Sequence, residues 1–152
     1  MNGTMNLYEE FSAIVKAFQK KKVRFAIVGG LAMAFHDEPR FTRDIDILLH
    51  SEDEEKMAGA LISLGYFESA KAWKFRNAPI VLRRFVRTQG EEFIPVDVLV
   101  GRTKRIDAMV ANAVNQPWSR GKVKVATKED IITLKKGRGS DQDKVDIRKL
   151  KK

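Results

Sequence analysis

Asp44 and Asp46 flank a single isoleucine in the segment Arg43-Asp44-Ile45-Asp46-Ile47-Leu48-Leu49. The β-branched and leucine residues around them predict a strand, and in a strand residues i and i+2 share a face. The two carboxylates therefore project side by side, roughly 6.6 Å apart by strand rise, while Ile45, Ile47 and Leu49 turn the other way into a core. At ~5 Å and an effective dielectric of ~20, two such charges repel by about 3 kcal/mol. A divalent cation converts that repulsion into attraction, and an all-oxygen donor set suits magnesium. A third carboxylate, Asp97, stands in the middle of a second apolar strand, Glu92 to Val100. If the two strands are neighbours, Asp44, Asp46 and Asp97 form a catalytic, metal-binding triad for two magnesium ions. Two ions about 3.5–4 Å apart clamp the attacking and the leaving oxygen of a phosphoryl transfer. The partner for that charge is a nucleoside triphosphate.

Gly29-Gly30 follows the apolar run Val23 to Val28 and opens a short helical segment, Leu31 to Phe35. Glycines at such a turn let the backbone approach a phosphate closely, and the N–H groups of the new helix point toward it. The turn lacks the Lys-Ser/Thr of a P-loop and the spacing of a dinucleotide fingerprint, so its meaning comes from the aspartates that follow. Arg40 and Arg43 flank the acidic strand. Each either binds a phosphate bidentately or pairs with a surface carboxylate. Thr42 either donates to a phosphate oxygen or fills the strand. The plainer alternative for the triad has Asp44 capping the strand start and Asp97 paired with an arginine. His36 is read as a residue closing the short helix in preference to a base.

The order Gly-Gly turn, helix, Asp-hydrophobic-Asp strand and distant third Asp resembles the nucleotidyltransferase superfamily that shares its catalytic domain with DNA polymerase β. The finer spacing, Val28-Gly29-Gly30-Leu31-Ala32, His36, Arg40, Thr42 and Asp44-Ile45-Asp46, is similar to AbiEii-like and minimal nucleotidyltransferases. So are Glu129-Asp130-Ile131-Ile132, Lys135, Gly137-Arg138-Gly139 and Lys144-Val145-Asp146 near the end of the chain. The resemblance runs from about Val23 to Leu150. It implies a nucleotidyltransferase fold and magnesium-dependent transfer of a nucleoside monophosphate from an NTP such as ATP to an acceptor hydroxyl. It also implies nucleotide contacts at Gly29, Gly30, Arg40, Thr42, Arg43 and Lys135. Asp37 stands where many relatives carry Gly and adds a negative charge near the phosphate turn. Many relatives also carry a helical C-terminal domain that holds the acceptor. Here the chain stops soon after Asp146, so the acceptor site is expected from a dimer or a partner chain.

Composition bounds the setting of this chemistry. A chain of 152 residues with 43% hydrophobic residues fits one domain, residues 1–152, with a real core. There is no cysteine, which excludes disulfides, thiolate metal sites and cysteine nucleophiles. No signal-like start and no run near the ~20 apolar residues of a membrane span is present, so the expectation is a cytoplasmic protein without a membrane partner. The formal net charge is +9, carried by Lys20 to Arg24, Lys71 to Arg87 and Lys135 to Lys152. That charge leaves a nucleic acid such as tRNA open as acceptor or partner. A protein hydroxyl and an aminoglycoside-like small molecule are equally open. The same chemistry would also suit the toxin of a toxin–antitoxin pair, with the antitoxin as partner. The competing hypothesis is a non-catalytic module of the same fold that holds nucleic acid or a protein through its basic surface.

The elements that must position the site follow from periodicity and caps. Met5 to Gln19 has one apolar stripe, Leu7, Phe11, Ile14, Val15 and Phe18, and predicts a packing helix. Ser51 is expected to cap a helix to Leu64, with the acidic cluster Glu52 to Glu55 complementing its dipole and having no fixed partner. Trp73 to Arg76 predicts a short strand. Ile80 to Thr88 and Glu92 to Val100 predict a hairpin, whose Arg83, Arg84 and Arg87 could reach a triphosphate or an RNA backbone but are read in preference as a solvated edge. Arg105 to Val114 predicts a helix and Lys122 to Val125 a strand. Thr127 is expected to cap a helix through Lys135, and Ser140 the helix Asp141 to Leu150. Asp146 is expected to cap a helix or pair with Lys144 or Arg148. The sum is an α+β fold, a small mixed β-sheet flanked by helices.

Overall fold

A computed structural model describes residues 5–37, 43–69 and 71–152. Arg40 and Thr42 lie outside the described residues. One mixed sheet organises the chain. Its strands are β1 (Phe25–Val28), β2 (Ile45–Leu49), β3 (Phe67–Glu68), β4 (Trp73–Lys74), β5 (Val81–Gln89), β6 (Glu92–Val100), β7 (Val114–Trp118) and β8 (Gly121–Val125). They run in the order β3-β5-β6-β2-β1-β8-β7, with β4 also paired to β5. The acidic strand β2 sits in the middle, parallel to β6 and antiparallel to β1. Central placement explains its sequence: Ile45, Ile47, Leu48 and Leu49 are fully buried, as a strand covered on both faces requires.

The helices are α1 (Leu7–Lys20), α2 (Gly29–Phe35), α3 (Glu54–Ser63), α4 (Lys104–Ala111), α5 (Lys128–Arg138) and α6 (Asp141–Leu150). The apolar stripe predicted for the first helix is buried at Phe11, Ile14, Val15 and Phe18, and Asn6 caps its start. Charged side chains show which face α1 and α3 cover. Arg87 donates to Glu10 of α1, and Arg83 donates to Glu54 of α3 and to Glu68. On the opposite face α5 packs against β1, β2 and β6, and α6 packs on α5. Thr127 caps α5 through the Asp130 amide. The left-handed Gly139 (φ 74°) ends it, returning its N–H to the Lys135 carbonyl as a C-terminal glycine does. Ser140 and Asp143 form a reciprocal capping box that starts α6.

Several expectations need correction. His50, not Ser51, caps the entry to α3. A 3₁₀ turn, Ser51–Asp53, precedes that helix, and Ser51 instead donates its amide and hydroxyl to Asp107 of α4. The acidic cluster does have fixed partners. Asp53 is buried and takes the Arg24 amide and guanidinium at 2.8, 3.0 and 3.1 Å, and Glu54 binds Arg83 and Arg102. The fourth helix ends at Ala111, and Val114 opens β7, which pairs with β8 as a second hairpin. The arginine strand β5 is not an edge, because β3 and β4 both pair with it.

Candidate active site

Register brings the two acidic strands together. Asp46 lies opposite Asp97 across the parallel β2–β6 pair. Asp46 also lies opposite Val28 across β1–β2, and Asp97 opposite Arg84 across β5–β6. Residues in register on adjacent strands share a face, so Arg84, Asp97, Asp46 and Val28 form one row across the sheet. Asp44 lies just before β2 and is partly buried. The sequence expectation that the two acidic strands are neighbours therefore corresponds to the observed sheet.

The turn after Val28 is shaped by the same row. Gly29 has φ 71°, and a Cβ built there would stand 2.0 Å from Oδ2 of Asp46 and 2.7 Å from its Cβ and Cγ. Glycine is required for two reasons at once: the left-handed backbone and the carboxylate that fills the space beside it. The α2 helix begins here and ends at His36, whose Nε2 lies 2.7 Å from the Ala126 carbonyl. That bond ties the helix to the end of β8, in keeping with a closing role for His36. Asp37 is exposed and holds φ 62°, a conformation glycine adopts more readily.

The carboxylates differ in their surroundings. Asp97 is buried and held bidentately by Arg84, Nε to Oδ1 at 2.7 Å and Nη2 to Oδ2 at 2.9 Å. The plainer reading of Asp97, an aspartate paired with an arginine, is thus what the geometry contains. Asp46 accepts no hydrogen bond and forms no ion pair among the described residues. Burial, and then the negative charges of Asp97 and Asp44, push its carboxyl up to about 7, against the weaker pull of Arg138 and Lys135. A partly buried carboxylate without a hydrogen-bonded cation beside a second carboxylate suits an added cation. The oxygen-only chemistry of Asp44 and Asp46 fits magnesium. The third donor fits less well. Among the described residues no three His, Asp or Glu side chains gather closely enough to hold a metal ion, and Arg84 covers both oxygens of Asp97.

Of the expected nucleotide contacts, Gly29 and Lys135 line a cleft beside Asp46 together with Leu99, Leu134 and Arg138. The cleft has room for about 20 Å³, enough for one water. Lys135 is buried and its ammonium is engaged: Nζ lies 2.8 Å from Asp146 Oδ2 and 3.8 Å from Asp143 Oδ1. Asp146 therefore pairs with Lys135 of the neighbouring helix and accepts a hydrogen bond from Gln142 of its own helix at 2.8 Å. Burial favours a protonated Asp143. The bonds from Arg138 and Ser140 outweigh that effect and hold its carboxyl below the usual range. Arg84, Arg138 and Asp143 were not among the expected site residues. Arg84 had only a partial signal: the predicted hairpin brings the arginine strand beside Asp97, but its three-residue turn would set Arg83 opposite that aspartate, and the observed Gln89–Glu92 pairing shifts the register by one; Arg138 and Asp143 depend on the α5–α6 packing. Arg43 and Asp44 do not line the cleft. They open onto a groove of about 540 Å³ with Glu91, Glu92 and Phe93 at the β5–β6 turn.

Comparison with known proteins bears on this site. The sequence profile of the aminoglycoside-2''-adenylyltransferases matches residues 10–92, more than half of the chain. The chain belongs to the aminoglycoside-2''-adenylyltransferase family. This family member is a nucleotidyltransferase, as its motifs imply, although the matched profile differs from the AbiEii-like group whose spacing it shares. No curated protein matches its sequence. Solved structures share its fold. The lincosamide antibiotic adenylyltransferase LnuA, bound to lincomycin, superposes with a TM-score of 0.64 at 19% identity, over 99% of this chain and 98% of that one. A Thermotoga maritima protein assigned as a nucleotidyltransferase gives 0.63 at 15% identity, over 95% and 94%. The enzyme ANT(2'')-Ia, in complex with adenylyl-2''-tobramycin, gives 0.56 at 14% identity, over 94% and 95%.

Proposed function

We propose that this nucleotidyltransferase moves a nucleoside monophosphate from an NTP, ATP in the first instance, to a hydroxyl of a small cationic molecule, and that it needs magnesium to do so. The observation that carries the metal dependence is Asp46, partly buried and without a hydrogen-bond or ion-pair partner among the described residues, beside Asp97 and two residues from Asp44. Asp44 and Asp46 would hold the cation. When bound, it would neutralise charge on the triphosphate and on the departing pyrophosphate. The Gly29-Gly30 turn and Arg43 would position the phosphates, and Asp97 would accept the proton of the acceptor hydroxyl. The hydroxyl oxygen attacks the α-phosphorus, the bond to the β-phosphate bridging oxygen breaks, and pyrophosphate leaves.

The groove beside Asp44 supports the choice of acceptor. Among the described residues, Asp44, Glu91 and Glu92 line it against one arginine, Arg43, although the chain as a whole carries +9. An acidic groove in a basic protein favours a cation and disfavours a polyanion. Its volume matches a drug-sized ligand. The matched family and the tobramycin adduct of ANT(2'')-Ia support the same direction. A tRNA acceptor, and with it a toxin role, has only the overall basic charge in its favour. Calorimetric titration of ATP with magnesium, on wild type and on Asp44→Asn, tests the nucleotide half of the reading. Binding that requires magnesium and is lost in the variant supports it; equal binding by both proteins contradicts it.

A further inference from the structure

The carboxylate that would hold a second metal ion, Asp97, is already bound by a guanidinium. Arg84 gives one N–H to each oxygen of Asp97, at 2.7 and 2.9 Å. The contact is fixed by the fold, because Arg84 and Asp97 are direct partners in the β5–β6 register. It lies on the site face of β5, whereas Arg83 and Arg87 point to the opposite face and are taken up by Glu54, Glu68 and Glu10. Asp97 is 4% exposed, while the Arg84 side chain that binds it reaches the surface. Arg84 also stands in the field of Asp44 and Asp46, which together with Asp97 favour its charged form. The three site carboxylates thus divide into two kinds. Asp97 already has a cation supplied by the protein, and among the described residues none is hydrogen-bonded to Asp46.

This division predicts the metal count. A bidentate guanidinium takes one lone pair from each carboxylate oxygen and stays protonated under all working conditions. A dication brought to the same carboxylate meets a fixed positive charge at its coordination site. We propose that this enzyme works with a single divalent cation, held by Asp44, Asp46 and the triphosphate, and that Arg84 supplies at Asp97 the positive charge a second metal ion would bring. The proposal rests on the metal-dependent reading of the site given above.

Equilibrium dialysis of the protein with Mn²⁺ and the non-hydrolysable analogue α,β-methylene-ATP measures the ratio of bound Mn²⁺ to bound nucleotide. Wild type and Arg84→Lys are expected to bind one ion per nucleotide, and Arg84→Met two. Electron paramagnetic resonance on the same samples is expected to lack the spin coupling of an ion pair about 3.5–4 Å apart in wild type and to show it in Arg84→Met. A ratio of two in wild type, or a ratio of one in folded Arg84→Met, overturns the proposal. The wild-type count and its spectrum stand even if Arg84→Met does not fold. No binding of nucleotide or Mn²⁺ to wild type is a distinct result, which removes the metal-dependent reading itself and this proposal with it.

Discussion

At the scale of single residues the site depends on close approach. Gly29 leaves room for Asp46, and a methyl group there would overlap its carboxylate. Gly29→Ala is therefore expected to lower kcat by about 10²-fold or more, on the scale of a misplaced reacting group. It should also cost about 1–2 kcal/mol in stability through the left-handed backbone. Activity assays and denaturant unfolding measure the two effects, and a fully active Gly29→Ala would show that Asp46 is not held by this turn. The Gly-Gly turn, the paired aspartates and Asp97 were all legible in the sequence, because the glycines, the alternation and the lone charge in an apolar strand are local signals. The different surroundings of Asp46 and Asp97 were not. They depend on Arg84 lying across one strand pair and, among the described residues, on the lack of a cation hydrogen-bonded to Asp46, and only the assembled sheet fixes that.

At the scale of elements ion pairs fasten separate elements at two places. Lys135, Asp143, Asp146 and Arg138 form a buried network between α5 and α6. Lys135→Ala would leave buried carboxylates without their partner, which typically costs 3–5 kcal/mol. The expected result is a large fall in Tm with little change in KM for ATP in the protein that remains folded. A normal Tm with a raised KM would instead return Lys135 to the nucleotide site. The Asp53–Arg24 pair fastens the start of β1 to the turn before α3. Hydrogen bonding from Arg24 holds the Asp53 carboxyl below its usual range. A lowered folded-state value means stability that is present above the unfolded value near 4. It is lost as pH falls through the folded value. Tm of wild type should thus fall more steeply below pH 4 than Tm of Asp53→Asn, and parallel curves would contradict the role of this pair. Helix starts at Thr127 and Ser140 were readable from capping residues. The β7 strand was not, because Val114-Asn-Gln-Pro-Trp118 has weak alternation and is held in place by pairing with β8.

At the scale of the whole molecule the sheet order decides the function. Placing β2 between β1 and β6 sets the glycine turn on one side of Asp46 and Asp97 on the other. In the proposed reaction the overall basic charge would attract a triphosphate, and the local acidic groove would select the second substrate. Replacing both Glu91 and Glu92 by Gln is expected to raise KM for a cationic acceptor such as tobramycin while KM for ATP stays within about twofold. Steady-state kinetics with each substrate varied in turn distinguishes this from a general loss of activity. The most direct test of the account is turnover: ATP, magnesium and tobramycin with wild type and with Asp46→Asn, followed by pyrophosphate release and the mass of the aminoglycoside. The account predicts pyrophosphate formed together with a tobramycin heavier by one AMP. It predicts a loss of about 10³-fold or more in Asp46→Asn, the scale of several kcal/mol of lost charge stabilisation. Near wild-type turnover by Asp46→Asn would contradict it.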